Sequence, residues 1–247
     1  MRLRVLGSSG GWPAPGRPCS GYLLEAAGQL ILLDTGSGIL VELLNHAELT
    51  ALDAIWVSHL HPDHCADLPM IWHMLAYGGR RRAAPLPVFG PPGWAGALAG
   101  QLDEPQQLGT VFAVRELSGG ATFPLGGLTL RAVAMRHGMD TYGVRVEYGR
   151  QTVAYTSDSA PCPAVVELAS DADLLLAEAF LSTSDPAGFT SVSRPEDAAR
   201  AATEGGAHRL VLTHLHPDAD PVAAMERAGT SYSGPIQVAE PGRVFSV

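Results

Sequence analysis

Two stretches of the sequence contain the same five residues, HLHPD, at positions 59–63 and 214–218. The first continues into His64, whereas Ala219 follows the second. Four side chains able to bind a metal therefore fall within six residues: His59, His61, Asp63 and His64. Imidazole and carboxylate groups at this spacing suit one or two transition metals, with zinc, manganese or iron as candidates. A single histidine is more often a hydrogen-bonded core residue, but that explanation would have to hold three times in one loop.

The segments before the two stretches predict how the chain presents them. DAIWVS (53–58) and HRLVLT (208–213) are apolar runs with β-branched residues, which predict buried strands that end at the histidines. Alternation along the first strand would direct the rings of His59 and His61 to one side. The proline that follows His61 then turns the chain into a helix.

Strands and helices alternate along most of the chain, which predicts a layered α/β architecture. Strands are predicted at residues 1–7, 21–26, 29–34, 53–58, 128–135, 141–148, 151–157, 173–179 and 208–213. Helices are predicted at residues 69–77, 163–170 and 195–206. Ser193 and Glu196 form an S-x-x-E pattern that predicts the capping box of the last helix. The Gly- and Pro-rich region from about 80 to 127 gives no clear pattern. No linker divides the chain, so a single domain over residues 1–247 is expected.

Composition limits the classes of function. The formal net charge is −9 and all 16 basic residues are arginine, so we expect no extended surface for DNA or RNA. Cys19, Cys65 and Cys162 form no disulfide pattern, which is typical of a reducing compartment. No run of about 18 apolar residues predicts a membrane span, and the N-terminus has no segment typical of a signal peptide. We therefore expect a cytoplasmic protein that does not bind membranes.

Further motifs accompany the first histidine stretch: LLDTG (32–36), RHG (136–138), YTSDS (155–159) and LTHLHP (212–217). In this order the chain resembles the metallo-β-lactamase fold family, whose signature is H-x-H-x-D-H after a buried strand. The resemblance covers nearly the whole chain, and the combination of motifs is highly specific although each later residue alone is a weak signal. It implies a four-layer αββα sandwich with a metal site along one edge of the sheets.

The resemblance also implies the metal ligands. It assigns one divalent ion to His59, His61 and His137, a second to Asp63, His64 and His214, and a bridging carboxylate to Asp158. Zinc is the first expectation, with manganese or iron as alternatives. Two ions about 3.5–4 Å apart would hold a bridging water and lower its pKa, so that hydroxide attacks the substrate. Asp63 is the candidate to orient this nucleophile and accept its proton. Asp34 is expected to fix the histidine loop or, equally, to stabilise a turn.

An aspartate rather than a cysteine at position 158 resembles the dinuclear hydrolases. The branch that the chain resembles most is ribonuclease Z and its smaller relatives, through TYGVRVE (141–147), TSDS (156–159), AEA (177–179) and LTHLHP (212–217). Three features depart from a tRNA-processing enzyme. Only 20 residues separate His137 from Asp158, which leaves no room for the long basic arm of that branch. Ala177 stands where the branch has a histidine, beside the matching Glu178. Ser191 stands where a histidine that protonates the leaving group is expected.

These features favour a dinuclear metal-dependent phosphodiesterase acting on small or cyclic nucleotides, an activity associated with a compact bacterial subgroup that the chain resembles. Hydrolysis of esters, lactones or thioesters, and ribonuclease Z-like RNA processing, stay open because the ligands activate water without selecting the electrophile. A metal-binding protein without catalysis is the least favoured interpretation. His216 is the candidate to replace the histidine missing at Ser191, against the alternative of a solvent-facing residue, and Glu178 is a further candidate for support or proton donation.

Two predictions concern partners. The resemblance suggests a homodimer, for which the helix at 69–77 is the candidate interface. The arginine run at residues 80–82 could contact a substrate phosphate, although such a run is more often a solvated loop.

Overall fold

The computed structural model of the protein describes residues 1–79, 82–182 and 190–247. Within these ranges, two mixed sheets of seven strands each face one another, and helices cover the outer side of both. The strands are β1 (Arg2–Gly7), β2 (Gly21–Ala26), β3 (Gln29–Leu33), β4 (Ala54–Trp56), β5 (Leu86–Gly90), β6 (Phe112–Glu116), β7 (Thr122–Leu125), β8 (Leu128–Ala134), β9 (Tyr142–Tyr148), β10 (Gln151–Tyr155), β11 (Leu174–Glu178), β12 (Leu210–Thr213), β13 (Ile236–Val238) and β14 (Val244–Ser246). The helices are α1 (Ile39–Leu44), α2 (Pro62–Cys65), α3 (Leu68–Tyr77), α4 (Trp94–Ala99), α5 (Leu108–Val111), α6 (Pro163–Ala169), α7 (Pro195–Gly205) and α8 (Pro221–Ala228).

The order of the strands shows how the sandwich is built. The first sheet runs β14-β1-β2-β3-β4-β5-β6 and the second runs β13-β12-β11-β10-β9-β8-β7. Both faces of each sheet are covered, so central strands are apolar throughout rather than alternating with polar residues. In β11, Leu174 and Leu176 pack between the sheets, whereas Leu175 and Ala177 pack against the outer helices. This arrangement is the predicted αββα sandwich, which is confirmed.

Parallel pairing directs several strand ends to one edge. In the first sheet β3, β4, β5 and β6 are successively parallel, and in the second sheet β10, β11, β12 and β13 are. The carboxyl ends of parallel strands lie at the same edge of a sheet, where the following loops are free to carry functional side chains. The loops after β3, β4, β10 and β12, together with the loop after β8, contain the residues that the motifs singled out.

The predicted elements agree with the structure except at the first histidine stretch and at the capping box of α7, and one region had no predicted element. The strand predicted at 53–58 ends at Trp56, so the first histidine stretch lies wholly in a loop and a short helix. The predicted capping box is one residue out of register, because the carboxylate of Asp197 accepts the amide of Arg194 at 2.9 Å while Ser193 Oγ donates to the carbonyl of Ser159 at 2.6 Å. The unclear region 80–127 contains, among its described residues, three strands and two helices.

Two further observations bear on the composition-based expectations. Cys19, Cys65 and Cys162 are free thiols, and burial raises the pKa of Cys19 and of Cys65 to about 11. Among the described residues, no helix is long and apolar enough to cross a membrane.

A buried hydrogen bond joins β2 of the first sheet directly to β12 of the second. The hydroxyl of Tyr22 on β2 lies 2.6 Å from Oγ1 of Thr213 at the end of β12, and both residues are fully buried. A buried hydroxyl that loses its only partner bears the cost of desolvation without compensation. The pair therefore ties the first sheet to the strand that leads into His214.

We expect Tyr22→Phe to lower the free energy of unfolding by about 1–3 kcal/mol, because Thr213 Oγ1 would then be buried without this partner. Urea unfolding followed by circular dichroism measures the change. Thr213→Val provides the matched control, since the double variant removes both partners and should lose less stability than the sum of the single variants. Strictly additive losses would contradict the assigned role of the hydrogen bond.

Candidate metal centre

Seven side chains converge at the edge where the strand ends meet. They come from the loop and short helix after β4, and from the loops after β8, β10 and β12, so both sheets contribute. They are His59, His61, Asp63, His64, His137, Asp158 and His214. They form two groups of four that share Asp158, and within each group one ligand-type atom per residue lies within 4.8 Å of the others.

The first group contains His59, His61, His137 and Asp158. Nδ1 of His61 lies 3.0 Å from Nε2 of His59 and 3.1 Å from Nε2 of His137. Oδ2 of Asp158 lies 3.9 Å from His59 Nε2 and 4.0 Å from His137 Nε2. The rings of His59 and His61 do lie on one side, as predicted, and meet edge-on with centroids 4.8 Å apart, but a loop rather than strand alternation brings them together.

The second group contains Asp63, His64, His214 and Asp158. Nε2 of His64 and Nε2 of His214 are 3.2 Å apart, and Oδ2 of Asp63 is 3.0 Å from His214 Nε2. Oδ1 of Asp158 lies 3.3 Å from His64 Nε2 and 3.4 Å from His214 Nε2. The two oxygens of the Asp158 carboxylate are therefore divided between the two groups.

The hydrogen bonds of two histidines show that the donor set suits a cation. Nδ1 of His137 lies 2.6 Å from the carbonyl oxygen of Ser191, and Nδ1 of His64 lies 2.8 Å from Oδ2 of Asp34. Because both oxygens only accept, each Nδ1 donates, and in the neutral ring Nε2 then presents a lone pair to its group. Oδ1 of Asp158 is also buried without a hydrogen-bond partner. Converging lone pairs without donors fit divalent metal ions.

Two opposing effects, burial and nearby charges, shift the pKa values of the side chains in these groups. Burial lowers the pKa of His59 well below its ordinary value, which leaves a neutral ring able to bind a metal. Burial alone would raise the pKa of Asp158, but His214 and His64 hold it well below its usual range. Burial alone would likewise lower the pKa of His64, yet Asp158 and Asp34 raise it. A cation beside Asp158 would offset that carboxylate and favour the neutral form of His64.

Asp34 supports the first histidine stretch from behind. Its carboxylate accepts the amide of Ser58 at 2.7 Å, the hydroxyl of Ser58 at 2.9 Å and the hydroxyl of Tyr155 at 2.7 Å, besides contacting His64. The residue is fully buried and has a φ of 61°, a left-handed conformation that few residues other than glycine adopt. The carboxylate of Asp34 therefore holds the start of the histidine loop through Ser58 and also orients the ring of His64.

Glu178 holds the turn that carries Asp158. Its buried carboxylate accepts the amide of Ser159 at 2.7 Å and the amide of Phe180 at 3.3 Å. Burial and the charge of Asp158 raise the pKa of Glu178 well above its ordinary value. These contacts describe a positioning residue whose carboxylate is directed at backbone amides.

His216 lies outside both groups. Its ring packs edge-on against Trp12 with centroids 5.0 Å apart and lies 5.4 Å from the ring of Phe180, and a third of its side chain is exposed. Its Nδ1 accepts the amide of Asp218 at 3.1 Å. The second HLHPD stretch thus contributes one histidine to the candidate metal centre and places the other at its rim.

Sequence reasoning missed several supporting contacts. The amide of Gly11 donates to Oδ2 of Asp63 at 2.8 Å, and the hydroxyl of Ser157 lies 3.3 Å from Nδ1 of His59. The SSGG run after β1 indicates a turn, but no local pattern shows that this turn reaches Asp63. In the arginine run, residues 80–81 lie outside the described residues, and Arg82 donates to the carbonyl oxygens of Thr50 and Leu52 at 2.5 and 2.7 Å.

Comparison with known proteins places this geometry in a family. The model of the β-lactamase superfamily domain matches residues 29–215. An uncharacterized protein of Mycobacterium leprae is 30% identical over 100% of this chain and 89% of its own length. Ribonuclease Z of Myxococcus xanthus is 29% identical over 98% of this chain and 96% of its own length. The crystal structure of the metallo-β-lactamase fold protein YhfI from Bacillus subtilis has a TM-score of 0.88 at 27% identity, covering 99% of this chain and 98% of that chain.

The chain belongs to the β-lactamase superfamily, which confirms the resemblance drawn from the motifs. Within it, the chain is a metal-dependent hydrolase of the metallo-β-lactamase fold, with ribonuclease Z and YhfI among its relatives. Its His/Asp cluster is suited to the divalent metals that such hydrolases use.

The two histidines of the second HLHPD stretch allow a matched test. We expect His214→Ala to lose bound metal, because its Nε2 is part of the second group, whereas His216→Ala should retain it. Metal content after gel filtration, measured by inductively coupled plasma mass spectrometry, checks both variants. Equal metal content in the two variants would contradict the assignment of His214.

Asp34→Asn should weaken metal affinity about 10–100-fold, because the ring of His64 would lose the acceptor that holds its Nδ1 proton. Competition with a chromogenic chelator measures the affinity. Tyr155→Phe is the control, since it removes one hydrogen bond to Asp34 and leaves the contact with His64. A similar loss in both variants would point to general damage to the loop instead.

Proposed function

We propose that the protein is a dinuclear phosphodiesterase that hydrolyses small or cyclic nucleotides. We infer two ions from the position of the Asp158 carboxylate between the two groups. Its Oδ1 lies beside His64 and His214, and its Oδ2 lies beside His59 and His137. A bridging carboxylate between two nitrogen-rich groups is suited to a pair of divalent ions. We infer zinc first from the imidazole-rich donor set, with manganese or iron as alternatives.

Residues of this chain would have separate roles around such ions. Two bound ions would supply Lewis acidity toward the phosphate oxygens and lower the pKa of a shared water. We assign Asp63 to orient the attacking water and accept its proton. Burial alone would raise the pKa of Asp63, but the hydrogen bond with His214 holds it below its ordinary value. The amide of Gly11 fixes the same carboxylate oxygen, so that the base is oriented before substrate binds.

One relative supports a phosphodiester substrate, and two features of this chain favour a small one. The Myxococcus xanthus relative is named for cleaving RNA, a polymer joined by phosphodiester bonds. Its match extends over 301 aligned positions although this chain has 247 residues, so that relative contains insertions that this chain lacks. Between His137 and Asp158 the chain has only the hairpin of β9 and β10, which turns at Gly149 and Arg150. With a net charge of −9, this favours a small substrate over a long RNA.

The chain has serine at position 191, where the resemblance implies a histidine that protonates the leaving group. Ser191 presents its backbone carbonyl to His137, and Glu178 is directed at backbone amides. We therefore assign both to positioning. His216 stays the candidate donor, from its place at the rim beyond Phe180.

Two predictions about the setting of the protein stay predictions. A cytoplasmic location is one of them. The other is the homodimer, for which α3 offers a surface, since Met70, Met74 and Tyr77 are exposed on the side opposite its buried residues.

A substrate panel tests the proposed function. We expect metal-dependent turnover of 3′,5′- or 2′,3′-cyclic nucleotides and of a chromogenic phosphodiester, with zinc or manganese supplied. Asp63→Ala should lower kcat by about 100-fold or more, because it removes a candidate general base as well as a ligand. The same panel includes an acyl-homoserine lactone and a glutathione thioester. Turnover of these without any phosphodiester, or phosphodiester turnover equal to that of Asp63→Ala, would contradict the proposal.

A further inference from the structure

Three aromatic rings form a surface at the edge of the candidate metal centre. They belong to Trp12 on the loop after β1, Phe180 after β11 and His216 after β12, and we name them the aromatic rim. We propose that the aromatic rim stacks on the nucleobase of the substrate, so that the protein selects diesters carrying a base. This inference rests on the proposed phosphodiesterase function and extends it to the part of the substrate away from the phosphate.

The rings lead outward from the metal-binding groups. The ring of Phe180 lies 5.6 Å from that of His214, whose Nε2 belongs to the second group. Phe180 is then 5.4 Å from His216, and His216 is 5.0 Å from Trp12 in an edge-to-face arrangement. These separations are within the range of aromatic contacts. A substrate with its phosphate at the metals would therefore have aromatic surface beside its remaining part.

The exposure of Trp12 is unusual for this chain. The residue is 50% exposed, whereas Trp56, Trp72 and Trp94 are at most 1% exposed. An exposed tryptophan beside a cluster of metal-binding side chains offers a planar surface on which an aromatic group can stack. The cost of exposing it in the free protein is recovered when a planar group covers it.

The loop that carries Trp12 is held against the metal centre. The amide of Gly11, the preceding residue, donates to Asp63, and the amide of Gly10 donates to the carbonyl of Leu215 at 3.0 Å. The hydroxyl of Ser9 donates to the carbonyl of Trp12 at 2.8 Å. A side chain at Gly10 would lie 2.6 Å from the carbonyl oxygen of His214, so glycine permits this close approach. The ring of Trp12 is thus positioned relative to the base Asp63.

The chemistry of the rim favours a nucleobase over other groups. Base–aromatic stacking needs only a π-face on each side and tolerates any base. Arg17, a basic residue on the same loop as Trp12, donates to the carbonyl of Pro217 and so supports the second HLHPD stretch. The rim therefore presents planar rings to the base, with the anionic part of the substrate left to the metal centre.

Tryptophan fluorescence offers a direct binding test. Trp12 is the one exposed residue among the four tryptophans, so a stacked base should quench a distinct part of the emission. We expect adenosine monophosphate to quench the metal-loaded protein and ribose 5-phosphate, which has no base, to leave it unchanged. The quenchable part should be absent in Trp12→Phe. No difference between the two ligands would overturn the proposal.

Kinetics on paired substrates provides the second test. The pair is a cyclic nucleotide and the same cyclic phosphate with hydrogen in place of the base. We expect Trp12→Ala to raise KM for the nucleotide by about tenfold or more, with a much smaller effect on the base-free diester and on kcat. Trp12→Phe should restore most of the affinity. Tyr148→Ala, which removes a similarly exposed aromatic ring from the far end of β9, should change neither substrate.

The outcomes separate this inference from the proposed function. Equal effects of Trp12→Ala on both substrates would overturn the stacking role while phosphodiesterase activity stands. If neither diester is hydrolysed, the proposed function fails, and quenching by adenosine monophosphate alone then decides whether the rim binds a base.

Discussion

The buried carboxylate of Asp158 requires compensating positive charge from the groups around it. It lies between two sets of imidazole nitrogens, and its Oδ1 has no hydrogen-bond partner. An isolated buried charge is costly, so such a group is paired with cations or bound to metal in folded proteins. The lone pairs of His64 and His137 are turned toward the same space by acceptors behind them, Asp34 and the carbonyl of Ser191. These ring orientations suit the edge of the sandwich to cation binding, which would itself favour the neutral form of His64.

The supporting residues explain why the loops at this edge hold unusual conformations. Asp34, Ser157 and His214 all have positive φ values, between 53° and 61°. Non-glycine residues adopt this conformation at a cost, and it persists only where surrounding contacts determine it. Here the contacts are those of the buried carboxylate of Asp34 and of the pairing of neighbouring strands. Backbone strain and ligand placement are thus parts of the same local arrangement.

Much of the fold and of the candidate site follows from local patterns. Continuous apolar runs such as β11 predict buried central strands, and the H-x-H-x-D-H stretch after β4 predicts a metal-binding loop. What local patterns do not show are contacts between distant segments. Gly11 reaches Asp63 across 52 positions, and Tyr155 reaches Asp34 across 121. Their residue types are ordinary, and only the tertiary structure brings them together, within the first sheet for Gly11 and Asp63 and between the two sheets for Tyr155 and Asp34. For the same reason the sequence did not indicate that Trp12 lies beside His216.

The division of the ligands between the two sheets has a consequence for the protein in the cell. His59, His61, Asp63 and His64 follow a strand of the first sheet, whereas His137, Asp158 and His214 follow strands of the second. Any ion held by both sets would act as a cross-link between the halves of the sandwich, and its binding energy would add to the energy that keeps the native state closed. Metal supply would then govern lifetime as well as activity, because a chain starved of metal opens more often and is exposed to proteases.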